Sequence, residues 1–151
     1  MTTANAQAAG NTPAEIQRVN EFVLNHPLHR FAGLRLLRQE PGRAVARFPV
    51  DGNALNMGGM LHAGLLYGLM DAVSFLALVT VLRPEEFAAT HDLHVSVMRP
   101  VPKGEEVELR AEVVRRGGNV AFIRCDAWRI SAAGELLAAA ATVTKSLTRS
   151  A

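Results

Sequence analysis

Asp71 is the residue in this chain whose setting most demands a chemical explanation. Residues 63 to 82, AGLLYGLMDAVSFLALVTVL, form an otherwise apolar stretch of helical character with this one carboxylate at its middle. An unpaired carboxylate in an apolar interior costs several kcal/mol. Asp71 therefore needs either a specific partner or a reaction to perform. The stretch opens with GGMLHAG, where His62 meets small residues at the expected helix start. At about 100° per residue, Gly64, Gly68 and Asp71 share one stripe, and glycines beside a carboxylate open a groove for a ligand or for a closely packed backbone. Twenty apolar residues would also cover roughly 30 Å of hydrocarbon. An Asp at the centre of a lone span costs about 2.5 to 3.5 kcal/mol, however, and no second span is present to pair with it. The helix is read as buried in protein, with no membrane partner.

The rest of the chain must supply that burial. Its 151 residues are expected to form a short disordered tail, 1 to 12, followed by a single domain, 13 to 151. That is long enough to bury roughly 70% of the unfolded surface. Net charge is only +2, with no basic tract, which argues against nucleic acid as a partner. The N-terminus has neither a basic start nor an apolar segment of the secretory kind, so a cytoplasmic location is expected. A single cysteine, Cys125, excludes an internal disulfide framework and CxxC motifs.

Thr12 and Pro13 make an N-cap and first-turn pair for a helix carrying Ile16, Val19, Phe22 and Val23, which Pro27 should stop. GLRLLRQEPGRAVARFPV reads as a hairpin turning at Pro41 and Gly42. After the loop DGNALNMGG comes the long helix, from about His62 to Leu82. Four strands follow, ATHDLHVSVMRPV, EEVELRAEVVRR, NVAFIRCDAWRI and ELLAAAATVTKSL, joined by PKGE, GG and AAG. Short joints predict an antiparallel meander of these four. The order of helix, hairpin, long helix and four strands is that of an α+β domain in which a sheet is built around one buried helix. A sheet too short to enclose the helix fully would leave apolar faces exposed and favour a self-associating dimer.

A loop Asn followed by G-x-L-H-x-G and then a long helix with an acid nine residues after the His resembles the hotdog-fold acyl-CoA thioesterases of the phenylacetate-pathway (PaaI-like) group. Asn56, Gly59, Leu61, His62, Gly64 and Asp71 carry the likeness, which extends through VSVMRPV at 95 to 101 and VVRRGGNVAF at 113 to 122. It implies a hotdog fold, in which a curved antiparallel sheet wraps around one long central helix. It also implies thioester hydrolysis, and sites shared across a homodimer that often pairs into a homotetramer. Where the family commonly has His-Gly-Gly, this chain has His62, Ala63 and Gly64, so a methyl group stands beside the expected substrate path.

On this resemblance Asp71 acts as general base on water or as nucleophile, and the Ala63 and Gly64 amides at the helix start hold the thioester oxygen. Asn56 adds a donor or staples its loop. His62 supports that loop by hydrogen bonding, and Thr90 places a hydroxyl near the water. Arg115, Arg116, Gly117, Gly118 and Asn119 form a basic turn suited to CoA phosphates, with Val97 and Lys145 as further candidates for CoA contact. No cofactor is expected, CoA being part of the substrate. His91, Asp92 and His94 tempt a metal reading, but strand positions three apart point to opposite faces, so no metal site is expected. His26 and His29 should lie exposed at a helix end. A hotdog hydratase or dehydratase is the enzyme alternative, although DGNALN lacks the Asp-x-Asn-Pro-x-His run of those enzymes. A non-catalytic acyl-CoA-binding module is the other.

Overall fold

The computed structural model describes residues 10–149. Thr12 caps α1, Pro13–Leu24, through a reciprocal box with Glu15. Pro27 does more than stop that helix: with His26 as N-cap it starts a short second one, α2, Pro27–Ala32. Proline lacks the N–H that a first helical turn leaves unpaired anyway. Of the expected tail, residues 1 to 9 lie outside the described residues. Asn11 is tied down, its N–H donating to Leu82 O at 2.8 Å and its side-chain amide to Val79 O at 3.1 Å.

The apolar stretch forms α3, Ala63–Val79, which ends short of Leu82. Thr80 turns its hydroxyl onto Ala77 O at 2.7 Å and accepts the Gly42 N–H at 2.7 Å. Together with Asn11 this satisfies carbonyls that a helix end leaves open. Leu66, Leu69, Met70, Val73, Leu76 and Ala77 are all buried. A helix apolar on nearly every side must be enclosed, and a six-stranded antiparallel sheet curves around it.

The strands are β1 (Arg35–Glu40), β2 (Arg43–Pro49), β3 (Glu86–Val97), β4 (Glu106–Arg116), β5 (Val120–Ser131) and β6 (Gly134–Arg149). β1 and β2 turn at Pro41 and Gly42, as expected, and Gly42 takes φ +75°, which its lack of a Cβ permits. The inward face of β5 carries Ala121, Ile123, Cys125 and Ala127, and that of β6 carries Ala139, Ala141 and Val143. These are mostly small side chains, which bring the sheet close to the helix.

The spatial order is β1-β2-β4-β5-β6-β3, which corrects the expected four-strand meander. Only β4, β5 and β6 follow one another; β3 pairs with β6 at the edge, and β4 lies between β2 and β5. The reason lies in the stretch after β3. It crosses beneath the start of α3, where the Leu61 N–H donates to Val101 O at 2.8 Å and Met60 bridges Pro102, and so delivers the chain to the middle of the sheet. Among the described residues β3 keeps one edge unpaired over its twelve residues.

Glu86, at the start of that edge strand, has a side chain only 1% exposed and is ion-paired with Arg116 of β4, with Arg149 of β6 at 3.6 Å. Burial alone would raise its pKa, but hydrogen bonds from Arg116 and the Arg83 N–H outweigh this and hold it below the ordinary carboxylate value of 4.5. The pair thus fastens the β4–β5 turn to β3. Removing one partner of a buried pair costs about 3 to 5 kcal/mol, so Glu86→Ala should lower the urea-unfolding free energy by about that much at neutral pH. A depressed carboxylate stabilises fully above its unfolded pKa and loses this contribution as pH falls through the folded one. The gap between wild type and variant should therefore close below about pH 4.5. An equal gap at acid pH would assign the loss to packing.

Candidate active site

Asp71 faces outward from the middle of α3 into a groove of about 620 Å³ bounded by α1, α2, α3 and β3. The walls are largely apolar, with Val19, Phe22, Val23, Ala72, Phe75 and Phe87 among them, and Gly68 floors the groove one turn before Asp71. A Cβ at Gly68 would meet Leu28 at 3.6 Å, an ordinary contact, so this glycine widens the groove without being sterically required. Arg18 and His29 contribute polar atoms at the rim. His29 was expected to be exposed; it is half-buried, its Nδ1–H donating to Val23 O at 2.6 Å.

The carboxylate has a partner. Lys145 Nζ donates to Asp71 Oδ1 at 2.7 Å and to Thr90 Oγ1 at 2.7 Å, and the Thr90 hydroxyl donates to the same Asp71 Oδ1 at 2.8 Å. The Lys145 side chain is 3% exposed and that of Asp71 35%. Thr90 stands directly opposite Lys145 in the β3–β6 ladder, next to a register shift between Thr90 and Asp92. An extra residue there tilts the local strand direction. This corrects the expectation for Lys145, which is not an exposed phosphate contact but a buried member of the Asp71 cluster. The signal was present in TVTKSL. Val143 and Leu147 mark the inward face of β6, so a lysine between them in alternation required a buried anion.

The helix start lies elsewhere. His62 is the N-cap of α3, its Nδ1 accepting the Gly64 N–H at 3.0 Å. A Cβ on Gly64 would come within 3.0 Å of that ring, so glycine is what lets the imidazole fold over. His62 thus supports the loop as expected, but the Gly64 amide is already spent. The Ala63 N–H has no acceptor among the described residues. Asn56 staples its loop, Oδ1 accepting from the Gly58 N–H at 2.9 Å and the Met60 N–H at 3.2 Å, which leaves its amide NH₂ as the available function. Seven residues separate Gly64 from Asp71, about 10 Å along a helix at ~1.5 Å per residue. A reacting carbon must lie about 3 Å from both nucleophile and oxyanion donors, so one chain does not bring these two groups to one atom.

The basic turn divides. Arg116 is committed to Glu86 and to Gly117 O, the latter at 2.9 Å, and the Gly117 N–H donates to Val120 O at 2.8 Å. Neither is free for a phosphate, which corrects that expectation. Arg115, Gly118 and Asn119 are exposed, and Arg115 makes no ion pair among the described residues. The turn extends past the position where Ala121 pairs with Lys145. Val97 is exposed at the far end of β3. No cluster of three or more metal-ligating side chains occurs among the described residues, and no helix there is long and apolar enough to cross a membrane.

A curved sheet wrapped around one helix that presents a carboxylate to a groove is the architecture of a hotdog-fold hydrolase, and comparison with known proteins agrees. The thioesterase superfamily model matches residues 58–135. Human acyl-coenzyme A thioesterase 13 is 30% identical over 105 residues, covering 70% of this chain and 74% of that protein. A thioesterase family protein of Silicibacter pomeroyi superposes with a TM-score of 0.82 at 25% identity, over 89% of this chain and 98% of the other. A mutant of the phenylacetic acid degradation protein PaaI from Thermus thermophilus gives 0.71 at 29% identity, over 80% and 98%. The chain belongs to the thioesterase superfamily and is a thioester hydrolase.

Proposed function

We propose that the protein hydrolyses an acyl-CoA to the free acid and CoA, acting in the cytoplasm as a homodimer at least. The observation that carries this is the Asp71 carboxylate at the groove, one oxygen held by Lys145 and Thr90 and the other, Oδ2, without a partner among the described residues. The named activity of the thioesterase 13 relative supports the substrate class.

Asp71 Oδ2 takes a proton from water as the water oxygen bonds to the thioester carbon. The resulting oxyanion is met by the Ala63 N–H at the positive end of α3 and by the Asn56 amide. When the tetrahedral intermediate collapses, the C–S bond breaks and the leaving thiolate takes the proton from Asp71, which restores the carboxylate. In this scheme, given the two-turn offset along α3, the oxyanion donors and the base come from different copies of the chain. The unpaired edge of β3, with exposed Phe87 and Val97, is the surface suited to joining them, since an open strand edge is a template for another strand. Two dimers pairing into a tetramer is the further assembly that the family resemblance implies. Arg115, with Gly118 and Asn119 beside it, is the cation available to the CoA phosphates, and Val97 lies on the edge that the dimer would cover. No cofactor beyond the substrate's own CoA enters this scheme.

Asp71→Asn keeps an oxygen to accept from Lys145 and Thr90 but removes the base; kcat on acyl-CoA should fall by about 10² to 10⁴-fold, followed as thiol release, with the circular dichroism spectrum unchanged. A loss below about tenfold would remove Asp71 from this role. Arg115→Ala should raise KM for acyl-CoA several-fold and leave a truncated thioester without the nucleotide unaffected, because the lost contact is remote from the reacting carbon. Equal effects on both substrates would show that Arg115 does not touch the nucleotide.

A further inference from the structure

Lys145 raises a separate question. An ammonium with its residue 3% exposed on the inward face of a strand is costly to bury, and an apolar side chain between Val143 and Leu147 would fill the same space without that cost. Its ion pair with Asp71 is therefore poorly explained as a contribution to stability. What the ammonium does to the carboxylate is more specific. Two donors converge on Oδ1, the Lys145 ammonium at 2.7 Å and the Thr90 hydroxyl at 2.8 Å, while the Thr90 oxygen is itself held by Lys145 at 2.7 Å. This closed ring of three hydrogen bonds fixes the rotation of the carboxylate and leaves Oδ2 as its one open oxygen.

We infer that Lys145 is a positioning residue for hydrolysis: its buried ammonium, with Thr90, occupies Oδ1 and orients Oδ2 toward the groove as the oxygen that accepts the proton. The inference rests on the assignment of Asp71 as the proton acceptor. The other titratable or charged groups around the site are Arg18 on α1, His29 on α2 and, behind the cluster on β5, Cys125. His29 is bonded to Val23 O on the far wall. Burial pushes the Cys125 thiol up to about 12, with the nearby Asp126 and Asp71 charges adding to the rise, so it stays neutral. Lys145 is the cation in direct contact with Asp71.

The test compares wild type, Lys145→Met, Lys145→Gln, Asp71→Asn and the Lys145→Met, Asp71→Asn double variant in full kinetics at neutral pH, with a medium-chain acyl-CoA as probe. In Lys145→Met, kcat should fall by about 10²-fold, the low end of what a misplaced general base costs. KM should stay within about threefold. Lys145→Gln can still donate a hydrogen bond to Oδ1, so it should show a smaller loss in kcat, and it serves in place of Lys145→Met should that protein not fold. The double variant should be no slower than Asp71→Asn alone, because Lys145 acts through the carboxylate. Unchanged kcat in the lysine variants, with Asp71→Asn inactive, would overturn the inference and leave the Asp71 assignment standing. A rise in KM with kcat intact would make Lys145 a binding cation and overturn it equally. Full activity in Asp71→Asn would overturn both.

Discussion

The contact between the Asp71 carboxylate and the Lys145 ammonium is the one charged link between the buried helix and the sheet around it. Every other residue of α3 is uncharged, and the helix is held by apolar packing that has no direction of its own. The ion pair is directional. It ties the middle of α3 to β6, and through Thr90 to the edge strand β3, at the point where the groove opens. The register of β3 against β6 follows the same requirement, since Thr90 stands opposite Lys145 and a shift of one residue would turn one of the two side chains to the other face.

Along the same helix the geometry separates the two halves of the proposed site. The helix start, with His62 folded over Gly64 and the Ala63 amide left open, is about two turns away from the carboxylate on the same helix. No bending of α3 brings them to one atom. In the proposed dimer a second copy supplies the missing half, and among the described residues β3 has an unpaired edge beside the groove. The exposed aromatic rings at the groove, Phe22 and Phe87, lie where an acyl chain or a partner surface would cover apolar area.

The sequence made the local elements legible where local chemistry specifies them. Thr12 and Pro13 marked the start of α1, Pro41 and Gly42 turned the hairpin, and alternation at Val107, Leu109, Ala111 and Val113 marked β4. It did not reveal the strand order, because the crossover after β3 depends on a bridge between Met60 and Pro102 that no local pattern encodes. It missed α2, since a proline that ends one helix also suits the start of the next. At the site, Asp71, Thr90 and His62 were placed by pattern. The roles of Lys145 and Arg116 were not, because a basic side chain reads as exposed until its buried partner, Asp71 or Glu86, is located across the fold. His29 was missed for a similar reason: its position over the groove follows from α2 packing beside α1.

A structure with a non-hydrolysable acyl-CoA analogue, in which a methylene separates the carbonyl from sulfur, would test the assignment of Asp71 most directly. The ketone carbon is expected within about 4 Å of Asp71 Oδ2, or one water molecule away from it, with the ketone oxygen at the Ala63 N–H of the other copy. A ketone bound away from Asp71, with Oδ2 turned to solvent, would contradict it.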